Sequence, residues 1–503
     1  MFRISCLAKS KQAIAASSIA RRPVQAPGHC VTPNNLRYYV PSVLPAVPPG
    51  GLRDPPMAEG IRQSRTNTSE ILAALEEARG RTLDLVADLD DEQLIGPRLR
   101  IVNPLRWEIG HIAYFQEVWC LRNFLGMQPI LANGDNLYDS ALIHHDTRWD
   151  LPLPSRRETL SFMQHVLDRV LELNRASSTD REVQGYGRNY FLQLALFHEQ
   201  MHAEAMTYTR QTLSYRAPKF SPPKLQPGPK PAESPIEGDA WVPGGRFLLG
   251  SSPDSGFSFD NEQWAHEVEV KHFLISRTAV TQREFASFVD DDGYRRREFW
   301  SEPGWQWRQS EGAEHPVYWR RESKGRWLRR HFDQWGPLEE RLPVIHVGWH
   351  EAEAYCRWAG RRLPTELEWE MAASCEPSSQ NRSAADRKRV YPWGDEPPTP
   401  DRANLDWFAM GCVEVDALPA GESAFGCRQM IGNTWEWTST TFGGYPGFEP
   451  GPYREYSAPW FGDHKVLRGG CWATRSGMIR NAYRNFYTPD RRDVWSGFRT
   501  CAL

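Results

Sequence analysis

The chain lacks the features that mark several common protein classes. Its nine cysteines include no Cys-x-x-Cys pair, and such an odd, scattered set is typical of reduced thiols in a cytosol-like compartment. No apolar run reaches the roughly 18–20 residues that span a bilayer. The net charge of −3 gives no general attraction for nucleic acid or for a membrane surface. The 503 residues predict a globular, cytoplasmic protein of two or three domains, monomeric or weakly oligomeric.

The N-terminal residues lack acidic side chains. Seven Lys and Arg residues precede Asp54, which is the first acid in the chain. A basic, acid-free start is typical of an organelle transit peptide. We favour the alternative that translation starts at Met57 instead of Met1. In either case residues 1–58 are expected to be a disordered extension, because residues 41–56 are rich in proline and glycine.

Four stretches have apolar side chains every three or four residues, which is typical of amphipathic helices. They cover about residues 68–89, 105–125, 157–175 and 190–213. The first starts with Thr68-Ser69-Glu70, which supplies capping groups. Four such helices with longer connections predict a four-helix bundle, which we place at residues 59–215.

The character of the sequence changes after the fourth helix. Residues 216–238 contain seven prolines and predict an extended linker. In residues 239–503 apolar runs are short, turns are frequent, and Trp and Gly recur. We expect a strand at 244–250, helices at 349–359 and 364–373, and much irregular structure. The predicted fold class is multidomain, an all-α bundle followed by an α+β domain.

Three histidines are candidate metal ligands. His198 and His202 lie one turn apart on the same side of the fourth helix. His111 lies in the apolar stripe of the second helix, where a buried imidazole needs a partner. Three imidazoles leave open coordination positions, as a catalytic site requires, and suit Zn, Cu, Ni or Fe(II). Glu204 lies about 200° around the helix from His202, so we expect it to accept hydrogen bonds near the site or to contact another helix.

Motifs in both halves resemble one enzyme superfamily. Residues 103–111 (NPLRWEIGH) and His198-x3-His202-x-Glu204 resemble the DinB-like bundle of ergothioneine sulfoxide synthases. The second half resembles the C-type-lectin-like domain of formylglycine-generating enzymes, the sulfatase-modifying factors. Its matching segments are residues 363–370, 391–394, 432–438, 467–470 and 497–499. Residues 146–154 (DTRWDLPLP) and 497–501 (GFRTC) most resemble the selenoneine synthase branch.

The resemblance implies non-haem Fe(II) bound by His111, His198 and His202, with O2 as co-substrate. The implied reaction joins a selenol or thiol to C2 of the imidazole of hercynine, which is trimethylhistidine. The implied partners are these small molecules. A tyrosine is expected to donate a proton, and we place this catalytic role at Tyr445.

Hercynine carries a trimethylammonium group, which an aromatic cage suits. The aromatic candidates for this contact also have a plainer interpretation as core residues. The candidate substrate-binding residues are Arg148, Met201, Asn433, Trp435, Trp437, Arg484, Phe486 and Tyr487.

Two segments depart from the ergothioneine enzymes. Met201 replaces the glutamine that commonly precedes the second motif histidine, and residues 485–487 read Asn-Phe-Tyr instead of Asn-Trp-Asp. The missing carboxylate would have faced an amino-acid-like thiol, so its absence favours a neutral selenosugar such as selenoglucose. Arg148 and Arg156 are the groups that would hold the carboxylate of γ-glutamylcysteine or cysteine, although surface arginines are the simpler interpretation.

Three other function classes share some of these sequence features. A copper-dependent formylglycine-generating oxidase needs two close cysteines, and after Cys471 the next cysteine is Cys501, so we reject this class. A Zn-dependent thiol transferase or hydrolase and a non-catalytic binding protein remain alternatives.

Overall fold

The computed structural model describes residues 67–176, 181–220, 236–323, 325–377 and 388–503. The predicted N-terminal extension and most of the predicted linker lie outside these residues. Within the described ranges, no helix is both long and apolar enough to cross a membrane.

The N-terminal region is helical, as the apolar spacing predicts. Asn67 caps the first helix through its side chain, one residue before the expected capping segment. Two short helices, Asp91–Ile95 and Gly134–Tyr138, were not expected, because five residues are too few to show a helical period. The helices are α1 (Thr68–Asp84), α2 (Asp91–Ile95), α3 (Leu105–Gln116), α4 (Gly134–Tyr138), α5 (Arg156–Ala176) and α6 (Arg188–Thr212).

Helix α3 continues into a π-helical segment, Glu117–Asn123. A short hairpin of β1 (Glu182–Val183) and β2 (Tyr186–Gly187) precedes α6. Helix α3 packs against α5 and α6, and α1 packs against α6. The four long helices therefore form the bundle that the sequence predicts.

The C-terminal region combines small sheets with long irregular segments. The expected strand is present at Gly245–Leu249, paired with His266–Val270, and the two expected helices are Trp349–Trp358 and Glu366–Ser374. The helices are α7 (Gln282–Asp290), α8 (Glu302–Ser310), α9 (Trp349–Trp358) and α10 (Glu366–Ser374). The strands are β3 (Asp239–Val242), β4 (Gly245–Leu249), β5 (His266–Val270), β6 (Phe273–Ser276), β7 (Trp319–Arg321), β8 (Trp327–His331), β9 (Gln334–Pro337), β10 (Arg361–Arg362), β11 (Trp435–Thr441), β12 (Lys465–Arg468), β13 (Asn485–Tyr487), β14 (Ser496–Gly497) and β15 (Cys501–Ala502).

Two four-stranded sheets organise this domain. Their strand orders are β10-β15-β6-β3 and β13-β12-β11-β14, and within the second sheet only β11 and β14 run parallel. Most of the fully buried tryptophans lie in this domain, so the abundant Trp of the sequence is largely core. The irregular segment between β11 and β12 extends to the bundle, where Tyr453 contacts Phe115 of α3.

Helix α6 belongs to the bundle and also contacts the C-terminal domain. Trp407 of the C-terminal domain donates a hydrogen bond to Thr207, and Arg330 donates to the carbonyl oxygen of Gln211. Because α1 and α3 cover its other sides, most of its side chains are buried.

The seven cysteines that the structure describes are all free thiols, in line with the expected reduced state. Burial raises the pKa of Cys412, to about 12, and also raises that of Cys427. These thiols are therefore protonated at neutral pH and are unsuited to nucleophilic chemistry.

Candidate metal centre and active site

The structure brings the three candidate histidines together. His111 comes from α3, and His198 and His202 come from α6. One nitrogen from each ring lies within 4.8 Å of the other two. His111 and His198 are buried, and His202 is partly exposed.

Hydrogen bonds orient two of the rings. Nδ1 of His111 lies 2.7 Å from the carbonyl oxygen of Tyr138, and Nδ1 of His202 lies 2.7 Å from Oε1 of Glu108. Because these oxygens accept, each Nδ1 carries the proton and each Nε2 presents a lone pair to the group. The structure therefore sets the tautomer that a metal ligand needs.

The group has the electrostatic character of a metal site. Burial lowers the pKa of His111 and of His198 well below the usual 6.5, and the neighbouring His202 lowers both further. Nε2 of His198 and Nε2 of His202 are only 3.2 Å apart. A shared cation would stabilise nitrogen atoms that converge in this way, so the three residues fit a divalent transition metal with open coordination positions.

Gly110 allows the backbone contact that orients His111. A Cβ atom at this position would lie 2.4 Å from the ring of Tyr138. The absence of a side chain lets Tyr138, the last residue of α4, pack against α3 and present its carbonyl oxygen to His111.

Aromatic rings surround the histidines on the bundle side. Phe115 stacks on His198 with ring centres 3.6 Å apart, and Trp107 stacks on His111 at 4.7 Å. The guanidinium of Arg148 lies 3.9 Å from the ring centre of Trp107. Burial lowers the pKa of Arg148 to about 10, so this half-buried side chain remains charged at neutral pH.

Three tyrosines of the C-terminal domain complete the surroundings. The ring of Tyr453 lies 6.3 Å from that of His198 and 5.0 Å from that of Phe115. The hydroxyls of Tyr456 and Tyr483 lie 3.5 and 3.4 Å from the sulfur of Met201, which lies between the two motif histidines in the sequence. The histidine group therefore lies at the boundary of the two domains.

Glu204 bonds across this boundary. Its carboxylate accepts hydrogen bonds of 2.6 Å from Nε1 of Trp435 and 2.5 Å from the hydroxyl of Thr474. Burial raises the pKa of Glu204, and these donors partly offset the rise. The side chain thus fastens α6 to the C-terminal domain, and Trp435 is a partner in that contact.

Tyr445, the candidate proton donor, packs inside the C-terminal domain. Its hydroxyl lies 3.3 Å from Oε1 of Glu366, and the guanidinium of Arg484 lies 4.2 Å from its ring centre. Tyr453 is the tyrosine whose ring lies near His198 and Phe115. The role of Tyr445 stays a prediction, and Tyr453 is a second candidate for the proton donor.

Two polar candidates are engaged in internal networks. All three nitrogens of Arg484 donate, to Glu366, to the carbonyl of Asn261 and to the carbonyl of Gly443. The amide of Asn433 bonds to its neighbours in the domain core through both its oxygen and its nitrogen. These contacts stabilise the domain and engage the polar atoms that a substrate would need.

Two aromatic candidates, Trp437 and Phe486, contact other residues of the C-terminal domain. Trp437 donates to the carbonyl of Val347 in the core. Phe486 stacks on Phe442 at 4.0 Å and lies 5.8 Å from Tyr456.

The last two candidates, Tyr487 and Arg156, contact other parts of the chain. Tyr487 lies beside Arg491, with 4.9 Å between the guanidinium and the ring centre. Arg156 donates to carbonyl oxygens after α1, among them that of Leu89, and is therefore occupied.

Sequence reasoning missed Glu108 and the tyrosines at 453, 456 and 483. Glu108 had a signal, because it is the one acid in a mostly apolar helix and lies three residues before His111. The tyrosines had none, because they lie in irregular segments without periodicity.

Comparisons with known proteins confirm the expected superfamily. Residues 74–206 match the DinB superfamily, and residues 225–502 match the sulfatase-modifying factor enzyme 1-like domain. The chain is 38% identical over 439 residues to the hercynine oxygenase of Mycolicibacterium thermoresistibile, covering 86% of this chain and 94% of that protein. It is also 38% identical over 438 residues to the hercynine oxygenase of Mycobacterium tuberculosis, covering 86% and 99%.

The C-terminal domain has relatives of a second kind. Formylglycine-generating enzyme of Thermomonospora curvata is 32% identical over 306 residues, which cover 54% of this chain and 96% of that protein. That likeness is confined to about half of the chain, whereas the likeness to the first two relatives includes the helical region. With both domains matched, the chain belongs to the hercynine oxygenase family, in which a DinB-type bundle precedes a sulfatase-modifying factor domain.

Proposed function

We propose that this chain is an iron- and O2-dependent enzyme that joins a selenol or thiol to C2 of the imidazole of hercynine. The observation that carries the proposal is the group of His111, His198 and His202 at the boundary of the two domains. Family membership supports hercynine as the acceptor, because the relatives are named for that substrate.

The bound metal would supply open positions at which the chalcogen donor loses its proton and both substrates are held together. The chain's own residues exclude water and orient the ligands. Phe115 and Trp107 cover two of the imidazoles, and Glu108 holds the proton on Nδ1 of His202. Bond formation removes two electrons and two protons from the substrates, and their transfer to O2 would reduce it to the level of hydrogen peroxide.

We propose a proton-donating role for Tyr453. Its ring is the phenol beside His198, and burial raises its pKa above the usual 10, so the hydroxyl keeps its proton at neutral pH. A phenol that keeps its proton can donate it to a strongly basic group formed from reduced O2, although its raised pKa makes it a weaker acid than an exposed tyrosine.

We further propose a selenosugar as the donor. Support comes from Phe486 and Tyr487, which stand where the ergothioneine enzymes carry Trp-Asp. Tyr487 is uncharged at neutral pH, because burial raises its pKa well above 10. A site without this carboxylate favours a neutral sugar over the ammonium group of an amino-acid donor.

One observation favours a second candidate, an ergothioneine sulfoxide synthase that uses γ-glutamylcysteine or cysteine. Arg148 is charged and half-buried, and lies over Trp107, whose ring also stacks on that of His111. Its Nε has no hydrogen-bond partner among the described residues. Its Nη1 donates to Asn103 and its Nη2 makes a long contact of 3.5 Å with the carbonyl of Ile143, so a donor carboxylate would have to replace that weaker contact or pair with Nε.

The test supplies anaerobically Fe(II)-loaded enzyme with hercynine and O2, and in parallel with selenoglucose, cysteine or γ-glutamylcysteine. Mass spectrometry of the products is expected to show a C2-substituted hercynine with selenoglucose. Preference for γ-glutamylcysteine would favour the second candidate. Turnover that needs Zn2+ and not O2, or no product with any donor, would reject both.

A further inference from the structure

A buried charge lies at the centre of the bundle and is not part of the proposed chemistry. Arg79 of α1 is only 2% exposed. Its Nε and Nη2 donate to the two oxygens of Glu199 at 2.9 and 3.2 Å. Nη2 also donates to Oε1 of Gln116 at 2.9 Å, and Nη1 donates to the carbonyl of Met163 at 2.5 Å.

These partners have a specific distribution. Gln116 is the last residue of α3, Glu199 belongs to α6, and Met163 belongs to α5. One guanidinium therefore contacts all three of the other long helices. Two of them are the helices that carry the metal-binding candidates, and Glu199 directly follows His198 in the chain.

Stability alone does not account for such a group. Replacing a buried ion pair with apolar residues of similar volume is often neutral or stabilising, because burying charge carries a desolvation cost. A bidentate pair has strict geometry, however, and apolar contacts allow helices to rotate and slide. The distinctive contribution of Arg79 is therefore orientation.

Orientation of α6 matters for the histidines. An imidazole nitrogen lies roughly 6 Å from the helix axis, so a rotation of about 20° moves it by about 2 Å. Functional sites need their groups within about 0.5 Å of the productive position. A small rotation of α6 against α3 would thus separate His198 and His202 from His111.

We propose that Arg79 is a positioning residue for the histidine group, fixing the rotation of α6 relative to α3 through Glu199 and Gln116. The inference rests on the proposed metal centre and is independent of the proposed substrates.

Metal binding by the apo-protein tests the proposal without turnover. Co2+ serves as the probe, with its dissociation constant measured by chelator competition and its coordination by the visible absorption spectrum. The triple variant R79M/Q116M/E199M removes the charges while it keeps the volume. We expect its urea midpoint to equal or exceed that of the wild type, its Co2+ affinity to fall at least tenfold and its Co2+ spectrum to change. A triple variant with unchanged affinity and spectrum would overturn the proposal.

A conservative variant covers the case in which the triple variant does not fold. Arg79→Lys keeps the charge but loses the fork that reaches Glu199 and Gln116 together. We expect its Co2+ affinity to fall and its spectrum to change, and wild-type values would overturn the proposal. Absence of Co2+ binding by the wild-type protein would instead reject the metal centre itself.

Arg210→Met is the matched control. Arg210 is also a buried arginine in an ion pair, with 2.8 Å between it and Asp88, which follows α1 in the chain. Arg210 lies two turns beyond His202 on α6. We expect this variant to lose stability while its Co2+ affinity and spectrum stay unchanged. If it weakens Co2+ binding as much as Arg79→Lys does, the effect is one of general stability and the positioning role is wrong.

Discussion

Glu108 and His202 form a carboxylate–imidazole pair between the two helices that carry the histidine group. Oε1 of Glu108 lies 2.7 Å from Nδ1 of His202, and Glu108 is 1% exposed. A carboxylate on the far nitrogen orients a ligand and makes it more basic, so its loss typically costs 10–100-fold in metal affinity.

We predict that Glu108→Leu lowers Co2+ or Fe(II) affinity about 10–100-fold. Glu108→Gln is the control, since its amide oxygen can still accept the hydrogen bond, and we expect a smaller loss. Chelator competition measures both. Equal affinity of the leucine variant and the wild type would remove Glu108 from the site.

Gly110→Ala is predicted to destabilise the protein and to disturb His111. The added Cβ would lie 2.4 Å from the ring of Tyr138, and forced overpacking typically costs about 1–3 kcal/mol. Displacing Tyr138 also moves the carbonyl that orients the imidazole. Urea unfolding and Co2+ titration measure the two effects.

Gly80→Ala is the matched control for this prediction. Gly80 lies in α1 with no atom within 4 Å of its added Cβ, so the variant gains helix propensity of about 0.5–1 kcal/mol. We expect it to be at least as stable as the wild type. A destabilised Gly80→Ala together with a neutral Gly110→Ala would contradict the steric account.

Tyr453→Phe is predicted to lower kcat about 10²–10⁴-fold, the usual contribution of a positioned general acid. The ring is retained, so the fold and metal affinity are expected to hold. Tyr445→Phe loses a contact with Glu366 inside the C-terminal domain and is expected to affect stability more than kcat. The reverse pattern would assign the proton-donor role to Tyr445.

Two histidines outside the metal group predict a pH dependence of stability. Burial, with the positive charge of Arg329, lowers the pKa of His331 from 6.5 to about 4, and burial lowers that of His350 to about 4. Between pH 6.5 and 4 the unfolded chain binds protons that the folded chain does not. The free energy of unfolding therefore falls as pH falls through this window, by up to about 1.4 kcal/mol per pH unit for each histidine.

Urea midpoints of the apo-protein at pH 7, 6 and 5 test this sign. His331→Gln keeps a donor for the carbonyl of Met410 but does not titrate, so its midpoint is expected to fall less steeply. A midpoint that rises on acidification would contradict the prediction.

The sequence predicted the parts of the site that obey a helical period. His198 and His202 share a face because they are four residues apart, and His111 was found because it lies in an apolar stripe. Glu108 lies on the helix that carries His111 and also points inward. An acid at such a position is as typical of a core ion pair as of a metal site. Its partner could be identified only from the packing of α3 against α6.

The C-terminal contribution was not predictable in the same way. Tyr445 was chosen from a glycine-rich segment that resembles the family, whereas Tyr453 lies beside His198. The segment between β11 and β12 has no repeating pattern, so its path is determined by long-range packing. Short helices such as α4 escaped notice for a related reason, since five residues do not show a period.

The contacts of helix α6 also affect how the two regions unfold. Its C-terminal half supplies hydrogen-bond partners to Trp435, Trp407 and Arg330 of the other domain. If the chain were cleaved after α6, each half would retain buried polar groups that have lost their partners. We therefore expect the regions that match two separate families to unfold as one cooperative unit, so that a metal ion bound to the bundle raises the melting temperature of the C-terminal domain as well.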